Sequence, residues 1–332
     1  MTIIDSRYSK DANAVVFQGD CKKLLADIPD GAIQLVITSP PYNVGKEYER
    51  KRSLDVYLAD QAEVIRECVR VLAPGGSICW QVGNYVEKGK SGSIIPLDVV
   101  LYPIFSSLGM KLRNRVIWHF EHGLHCSKRL SGRYETICWF TKSDEYYFDL
   151  DPIRIPQKYP GKKYFKGPKV GQYSCNPMGK NPGDVWLIPN VKSNHVEKTD
   201  HPCQFPIELV ERLIISMSQP GDRVLDPYAG VGSTMAAAVR NQRRGIGAEL
   251  DKNYAKTARE RIASAAAGSL KVRERNTPVF DPDKAGARLR NAPWLKVVDG
   301  DRLAEKKKYP ATQEPMDQLR LLETRAAYGG RK

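Results

Sequence analysis

Strongly apolar runs alternate with stretches whose apolar residues recur at helical spacing, and that alternation organises most of the 332-residue chain. Residues 14–20 (AVVFQGD) read as a short strand closing on a turn, and CKKLLADIPDGA as a short helix stopped by Pro29 and Gly31. In AIQLVITSPPYN the apolar stretch from Ile33 to Ile37 predicts a buried strand that halts at Ser39-Pro40-Pro41. Adjacent prolines cannot continue a central strand, so the tripeptide belongs to a loop at the strand's carboxyl end. Residues 55–72 carry a helical pattern, Ala73-Pro74-Gly75-Gly76 ends it, and SICWQVG is the next strand. A helix near 96–109 and the strands RNRVIWHF and YETICWFTK follow. The rhythm returns at 205–218 with an amphipathic helix, then strand DRVLDP, a glycine-rich loop, helix TMAAAVRNQ, strand RGIGAEL and helix NYAKTARERIASAA. Helices alternating with strands predict an α/β fold with a mainly parallel sheet.

Residues 150–200 break this rhythm. Prolines stand at 152, 156, 160, 168, 177, 182 and 189, and eight lysines between 158 and 198 are set against Asp184 and Glu197. Tyr159, Tyr164, Phe165, Tyr173 and Trp186 are interleaved with the lysines. A long irregular segment inside a compact domain is usually functional or disordered. The aromatics and the strand-like DVWLIP predict a folded, functional insert. Beyond about residue 270 the periodicity weakens into a basic tail with a short helix at MDQLRLLETRAAY. The expected organisation is a first α/β part over 1–149, the insert over 150–200, a second α/β part over 201–268 and a basic extension over 269–332.

Charge changes the picture through its distribution. The formal net charge is +14, yet residues 1–100 carry 12 basic and 13 acidic side chains, 101–200 carry 16 and 9, and 201–332 carry 24 and 16. A polyanion-binding surface built by the last two thirds fits this asymmetry, and so does a solvated basic face. The N-terminus lacks the basic-then-apolar layout of a secretory signal, and no apolar run approaches the roughly 18–20 residues of a membrane helix. Seven cysteines, never spaced C-x-x-C, read as buried reduced thiols of a cytoplasmic protein.

Asp226-Pro-Tyr-Ala-Gly-Val-Gly-Ser-Thr234 lies between a predicted strand and a predicted helix. Gly230 and Gly232 allow a tight turn and a close approach of backbone to ligand. No Gly-Lys-Ser/Thr follows, which argues against a P-loop, and the third glycine of the dinucleotide fingerprint is missing. Glu249 ends the next strand, where a carboxylate can accept hydrogen bonds from both hydroxyls of a ribose. Loop and acid together point to an adenosine-type cofactor, S-adenosylmethionine or NAD; the structural alternative is a turn with an incidental glutamate. Asp226 tilts the choice toward S-adenosylmethionine, because a carboxylate at the strand tip repels a pyrophosphate and tolerates a sulfonium and an ammonium.

Thr38-Ser39-Pro40-Pro41-Tyr42-Asn43 is the sharpest local signal. The exocyclic amine of adenine or cytosine is a poor nucleophile, because its lone pair is delocalised into the ring. A catalyst must accept hydrogen bonds from both N–H groups so that nitrogen becomes more tetrahedral as a methyl group arrives. Ser39 Oγ and the Pro40 carbonyl can be those acceptors, with Pro40 and Pro41 stiffening the loop. Tyr42 offers a flat face to a base removed from its stack. A Pro-Pro turn after a buried strand is the structural alternative.

With these residues the sequence resembles the β group of S-adenosylmethionine-dependent DNA amino-methyltransferases. There a (D/N/S)-P-P-(Y/F) catalytic loop comes first, a target-recognition region next and a D-x-x-x-G-x-G cofactor loop last. Gly19-Asp20-Cys21, Leu72-Ala-Pro-Gly-Gly76, Arg133-Tyr-Glu135 and His201-Pro-Cys-Gln-Phe-Pro206 fit the same pattern, so the resemblance spans about residues 14–265. It implies a Rossmann-like, seven-stranded-type methyltransferase fold with circularly permuted motifs, base flipping, and direct in-line methyl transfer. It also implies cofactor contacts at Asp20, Cys21, Gln204, Phe205, Asp226, Tyr228, Gly230, Gly232, Ser233, Thr234 and Glu249, with catalysis by Ser39, Pro40, Pro41 and Tyr42 and no metal. In the insert, Lys162, Lys163, Lys166 and Lys169 are expected on phosphates, and Asn176, Lys180, Asn181, Lys192, Asn194 and His195 are candidates for base contacts. Double-stranded DNA is then the substrate, with adenine N6 taken as the acceptor. Cytosine N4 is the alternative: serine in the first position leans toward cytosine, while adenine acceptors are commoner in the group. A homodimer, a cognate restriction endonuclease and a nucleoid-associated place in a bacterial or phage-infected cytoplasm complete the expectation.

Other patterns lead elsewhere. Pro202-Cys203-Gln204 imitates the nucleophile loop of cytosine-C5 methyltransferases, which place the cofactor loop first. His119, His122, His125 and Cys126 hint at zinc, but they follow a strand and run through a glycine. Lys306-Lys-Lys308 suits a phosphate contact or a solvated turn equally. An NAD-dependent oxidoreductase fits the glycine loop and Glu249 but leaves Ser-Pro-Pro-Tyr without a task, and a non-catalytic DNA-binding protein is a third reading.

Overall fold

Apolar runs become central strands and amphipathic stretches become flanking helices in the computed structural model. It describes residues 2–43, 52–86, 93–123, 125–192, 194–275 and 277, and the backbone of 295–298 and 301–304. The expected helix near 316–328 and Lys306–Lys308 lie outside the described residues. Two compact units result, Met1–Thr277 and Pro278–Lys332.

The first unit opens with β1 (Ile4–Asp5), β2 (Ala14–Gln18), α1 (Cys21–Asp27), β3 (Ile33–Thr38), α2 (Leu54–Val71) and β4 (Leu72–Val82). A small hairpin, β5 (Asn84–Val86) and β6 (Ile94–Pro96), leads to α3 (Leu97–Ser107), β7 (Lys111–His119), β8 (Tyr134–Thr141) and β9 (Val185–Leu187). Then come α4 (Ile207–Met217), β10 (Arg223–Asp226), α5 (Ser233–Arg240), β11 (Arg244–Glu249) and α6 (Lys252–Ala266). The second unit contains the antiparallel pair β12 (Leu295–Val298) and β13 (Asp301–Ala304).

One sheet runs in the order β1-β2-β11-β10-β3-β4-β8-β7-β9. Pairing is parallel from β1 through β4, antiparallel for β4–β8 and β8–β7, and parallel again for β7–β9. The expected seven-stranded-type sheet is extended at its edges by two short strands, β1, which carried no sequence signal, and β9, which matches the strand-like DVWLIP. β4 starts earlier than expected, at Leu72, because Leu72 already pairs with Ile33, and Ala73–Gly76 bulges out before pairing resumes at Leu35 and Ser77.

Side chains alternate between the two faces. Val36, Ile78, Trp80 and Val82 join α1, α2 and α3 in one core, while Leu35, Ile37 and Cys79 join α4, α5 and α6 in the other. Covering both faces is why these strands are almost continuously apolar. Cys21, Cys68, Cys79 and Cys138 are buried free thiols, but Cys126 and Cys175 are half-buried and Cys203 is exposed, since these three lie in loops rather than core elements.

The order matters for function because β3 and β10 are neighbours whose chains depart in opposite directions. After β3 the chain crosses to α2 and β4, and after β10 it crosses to α5 and β11. Such a switch point opens a crevice at the carboxyl ends of the strands, where α/β proteins bind ligands.

The 150–200 segment is folded against this frame. β9 extends the sheet, Trp186 is buried with its indole N–H on the Gly183 carbonyl at 2.8 Å, and the Arg212 guanidinium lies over its ring. Isolated bridges join Ile155 to Lys180 and Lys163 to Tyr173. Glu197 closes the segment. Its buried carboxylate accepts the Ile207 N–H at 2.8 Å and the Arg273 N–H at 3.0 Å, capping α4, whose own preceding residue is Pro206. Among the described residues, no helix is long and apolar enough to cross a membrane.

Candidate active site

β10 ends at Asp226, which is buried beside the tip of β3. Thr38 Oγ1 donates to Oδ1 at 2.6 Å, Thr234 Oγ1 to Oδ2 at 2.7 Å, and the Tyr228 N–H to Oδ1 at 3.1 Å. Burial pushes the carboxyl up to about 6, against the three donors that lower it. Asp226 therefore braces three segments at once: the end of β3, the glycine loop and the first turn of α5.

The glycine loop turns where a side chain cannot. Gly230 and Gly232 have φ of 52° and 73°, and a Cβ on Gly232 would stand 2.8 Å from Ala258 Cβ. At the end of β11, Glu249 accepts the Gly230 N–H on one oxygen and the Asp251 N–H on the other, both at 2.8 Å. Each oxygen keeps a second lone pair for an outside donor, and burial raises this carboxyl above its ordinary range. Asp20, before α1, caps that helix through the Lys22 N–H at 2.9 Å.

The other half of the site stands on the tips of β3, β4 and β8. Ser39 Oγ lies 2.9 Å from the Tyr42 hydroxyl, which donates to Glu135 Oε2 at 3.1 Å. Gln81 Nε2 donates to the Tyr42 oxygen at 2.6 Å and also meets Glu135 Oε2. Gly83 leaves room for the Tyr42 ring, since a Cβ there would come within 3.1 Å of Tyr42 Cε2. Tyr42 is half-buried and lies in the cavity wall.

Both halves open into one cavity of about 780 Å³. Its walls include Asp20, Cys21, Ser39, Pro40, Pro41, Tyr42, Gln204, Phe205, Asp226, Tyr228, Gly230, Ser233 and Glu249, so most of the expected site residues converge. Gly232 and Thr234 stand behind the wall as loop supports. Gln204 has its amide committed inside the protein, accepting from Thr199 Oγ1 and donating to the Glu197 carbonyl, both at 2.7 Å. Ser233 Oγ donates to the Phe205 carbonyl at 2.9 Å, tying α5 to the loop before α4.

Several wall residues carried no strong sequence signal. Gln81 is one of two buried polar positions, with Ser77, in an otherwise apolar strand, and Glu135 was visible only as part of Arg133-Tyr-Glu135. Gln61 donates to the Tyr228 hydroxyl at 3.1 Å, and its buried Oε1 has no hydrogen-bond donor among the described residues. His201 packs edge-on to Tyr254 beside Gly230, and burial and Lys198 lower it to about 4, so it is neutral at physiological pH.

Of the expected insert residues, Lys192 alone reaches the cavity wall. Lys162, Lys163, Lys166, Lys169, Lys180, Asn176, Asn181 and Asn194 are exposed away from it. Lys163 and Lys166 lie over the rings of Tyr173 and Phe165 at 5.1 and 5.5 Å. His195 turns inward, its Nδ1 accepting the Glu197 N–H at 3.2 Å.

A two-faced α/β sheet, with a glycine loop and a Ser-Pro-Pro-Tyr loop meeting at its switch point, defines a Rossmann-like methyltransferase. Residues 33–260 match the model of the N6/N4 family of DNA methylases, and the chain belongs to that family. It is thus an S-adenosylmethionine-dependent, site-specific DNA methyltransferase, and the oxidoreductase reading falls away. The chain is 51% identical over 251 residues to the Type II methyltransferase M.BglII of Bacillus subtilis, covering 76% of this chain and 69% of that protein. It is 30% identical over 287 residues to the DNA adenine methyltransferase YhdJ of Escherichia coli K12, covering 82% and 91%. A DNA modification methylase from Thermus thermophilus, solved with S-adenosyl-L-methionine, matches with a TM-score of 0.55 at 28% identity over 79% of this chain and 99% of that one.

The residues present fit that cofactor. Glu249 offers a carboxylate to ribose hydroxyls, Gly230 a bare backbone, and Gln61 a buried acceptor of the kind an ammonium group uses.

Proposed function

We propose that this cavity methylates the exocyclic amine of a base turned out of duplex DNA, with adenine N6 as the acceptor. The observation that carries the reading is the shared cavity, which brings Ser39 and Tyr42 to the same space as Gly230 and Glu249. Glu249, Gly230, Asp20 and Tyr228 would hold the cofactor. When bound, S-adenosylmethionine supplies an electrophilic methyl carbon on a sulfonium. Ser39 Oγ and the Pro40 carbonyl accept the two N–H groups of the amine, which draws the nitrogen lone pair out of the ring and toward the methyl. The Tyr42 ring, half-buried in the cavity wall, receives the face of the flipped base, a contact worth roughly 1–3 kcal/mol.

Adenine is supported by the adenine methyltransferase among the relatives. Cytosine N4 is the second reading, and Ser39 favours it, because the family resemblance leans toward cytosine where serine stands first. Methylating DNA in vitro, digesting it to nucleosides and weighing the product decides: N6-methyldeoxyadenosine supports the first reading and N4-methyldeoxycytidine replaces it with the second. The same proposal takes the 150–200 segment as the target-recognition region, a homodimer as the working form, and a cognate restriction endonuclease as the partner in a bacterial cytoplasm.

A further inference from the structure

A serine is an ambivalent partner for an amine under attack. Its hydroxyl donates as readily as it accepts, yet the amine requires an acceptor. Three residues from β4, β8 and the loop after β3 remove that ambivalence. The Tyr42 hydroxyl has one proton and gives it to Glu135 Oε2 at 3.1 Å. Its oxygen can then only accept, from Gln81 Nε2 at 2.6 Å and from Ser39 Oγ at 2.9 Å. The Ser39 proton is thereby turned toward Tyr42, and the Oγ lone pairs remain for the substrate.

We propose that Glu135 is the positioning residue and final proton acceptor of methyl transfer, acting on the substrate amine through Tyr42 and Ser39. The inference rests on the reading of Ser39 as the group that meets the amine. As the nitrogen–carbon bond forms and the carbon–sulfur bond breaks, the nitrogen becomes cationic. Its proton passes to Ser39 Oγ, the Ser39 proton to the Tyr42 oxygen, and the Tyr42 proton to Glu135. The N–H electron pair stays on nitrogen, and the positive charge that left the sulfonium is cancelled on the carboxylate. An aspartate in the first loop position could take the proton itself; serine cannot keep it, and a carboxylate one tyrosine away can.

Glu135 is half-buried in the cavity wall, and desolvation lifts its carboxyl above the usual range despite the opposing donors Tyr42 and Gln81. The other charged or titratable groups near the chain of hydroxyls are Lys192 from the insert and Cys203 from the loop before α4. Protonating Glu135 removes the acceptor, so the chemical step weakens as pH falls through its raised pKa.

Single-turnover methyl transfer is measured across roughly pH 5 to 9 for wild type, Glu135→Gln, Tyr42→Phe and the double variant, with S-adenosylhomocysteine and DNA affinities in parallel. Glu135→Gln keeps an oxygen for the Tyr42 proton, so both affinities are expected within about twofold of wild type, while the rate falls about a hundredfold or more. Its acid limb disappears. Tyr42→Phe loses the same limb, and the double variant is no slower than the slower single one, as expected for members of one relay. A Glu135→Gln enzyme with wild-type rate and wild-type acid limb overturns the proposal, as does a double variant whose losses multiply. A wild-type enzyme that leaves no mark on any exocyclic amine instead defeats the reading of the site itself.

Discussion

Thr38 and Asp226, 188 positions apart in sequence, share a hydrogen bond of 2.6 Å at the switch point of the sheet. One ends the strand that presents the Ser-Pro-Pro-Tyr loop, and the other ends the strand that presents the glycine loop. The bond fixes the separation between the place where a methyl group is offered and the place where it is accepted. Replacing Thr38 by valine keeps the shape and removes one donor from a buried carboxylate, a loss of about 1–3 kcal/mol. Urea denaturation should register that loss. S-adenosylhomocysteine affinity should also weaken, although Thr38 is not itself in the cavity wall.

Asp226 makes stability depend on pH in an unusual direction. Its folded pKa is raised from 3.8 to about 6, so the folded chain binds the proton more tightly than the unfolded one. The contribution is fully present below the unfolded pKa and is lost as pH rises through about 6, amounting to about 3 kcal/mol. Wild type should therefore gain stability relative to Asp226→Asn when denatured at about pH 4.5 rather than at about pH 7. An unchanged difference between the two proteins contradicts the assignment.

Glu249 and Ser39 should separate binding from chemistry. Glu249→Ala removes the charge-assisted contacts expected for a ribose, and calorimetry should show S-adenosylhomocysteine bound about 10- to 100-fold more weakly. Ser39→Ala should leave that affinity nearly intact while methyl transfer falls about 10²–10³-fold. A Ser39→Ala enzyme as fast as wild type would remove Ser39 from the reaction.

Lys162, Lys163, Lys166 and Lys169 form an exposed basic run outside the cavity. Converting all four to glutamine should weaken DNA binding and flatten its salt dependence by up to about 0.9 in log–log slope per lost phosphate contact. Cofactor affinity should not move. A salt slope equal to that of wild type would show that these lysines do not meet the phosphates.

The sequence was readable wherever one element carried its own signature. Ile33–Ile37 is apolar except for Gln34 and is followed after Thr38-Ser39 by two prolines, and Ser233–Arg240 follows two glycines, so strand, loop and helix were each marked locally. β1 pairs over two residues, too few to show a period, whereas β9 falls inside the strand-like DVWLIP. Gln81 and Glu135 were unreadable as partners for a different reason. They come together only because β4 and β8 pair antiparallel in the register Gln81↔Ile137 and Val82↔Thr136, which no local pattern announces. Asp226 was expected at the cofactor, and its bond to Thr38 likewise depends on the pairing of β10 with β3.

Glu197 sets a boundary for transplantation. The chain between β8 and α4 touches the sheet at β9, and near its end Glu197 is both the cap of α4 and the anchor of Arg273. An exchange of recognition segments between relatives is thus compatible with this scaffold only if the downstream junction falls before Glu197. A junction placed after it would import a new reader of DNA while unfastening the helix that backs the catalytic sheet.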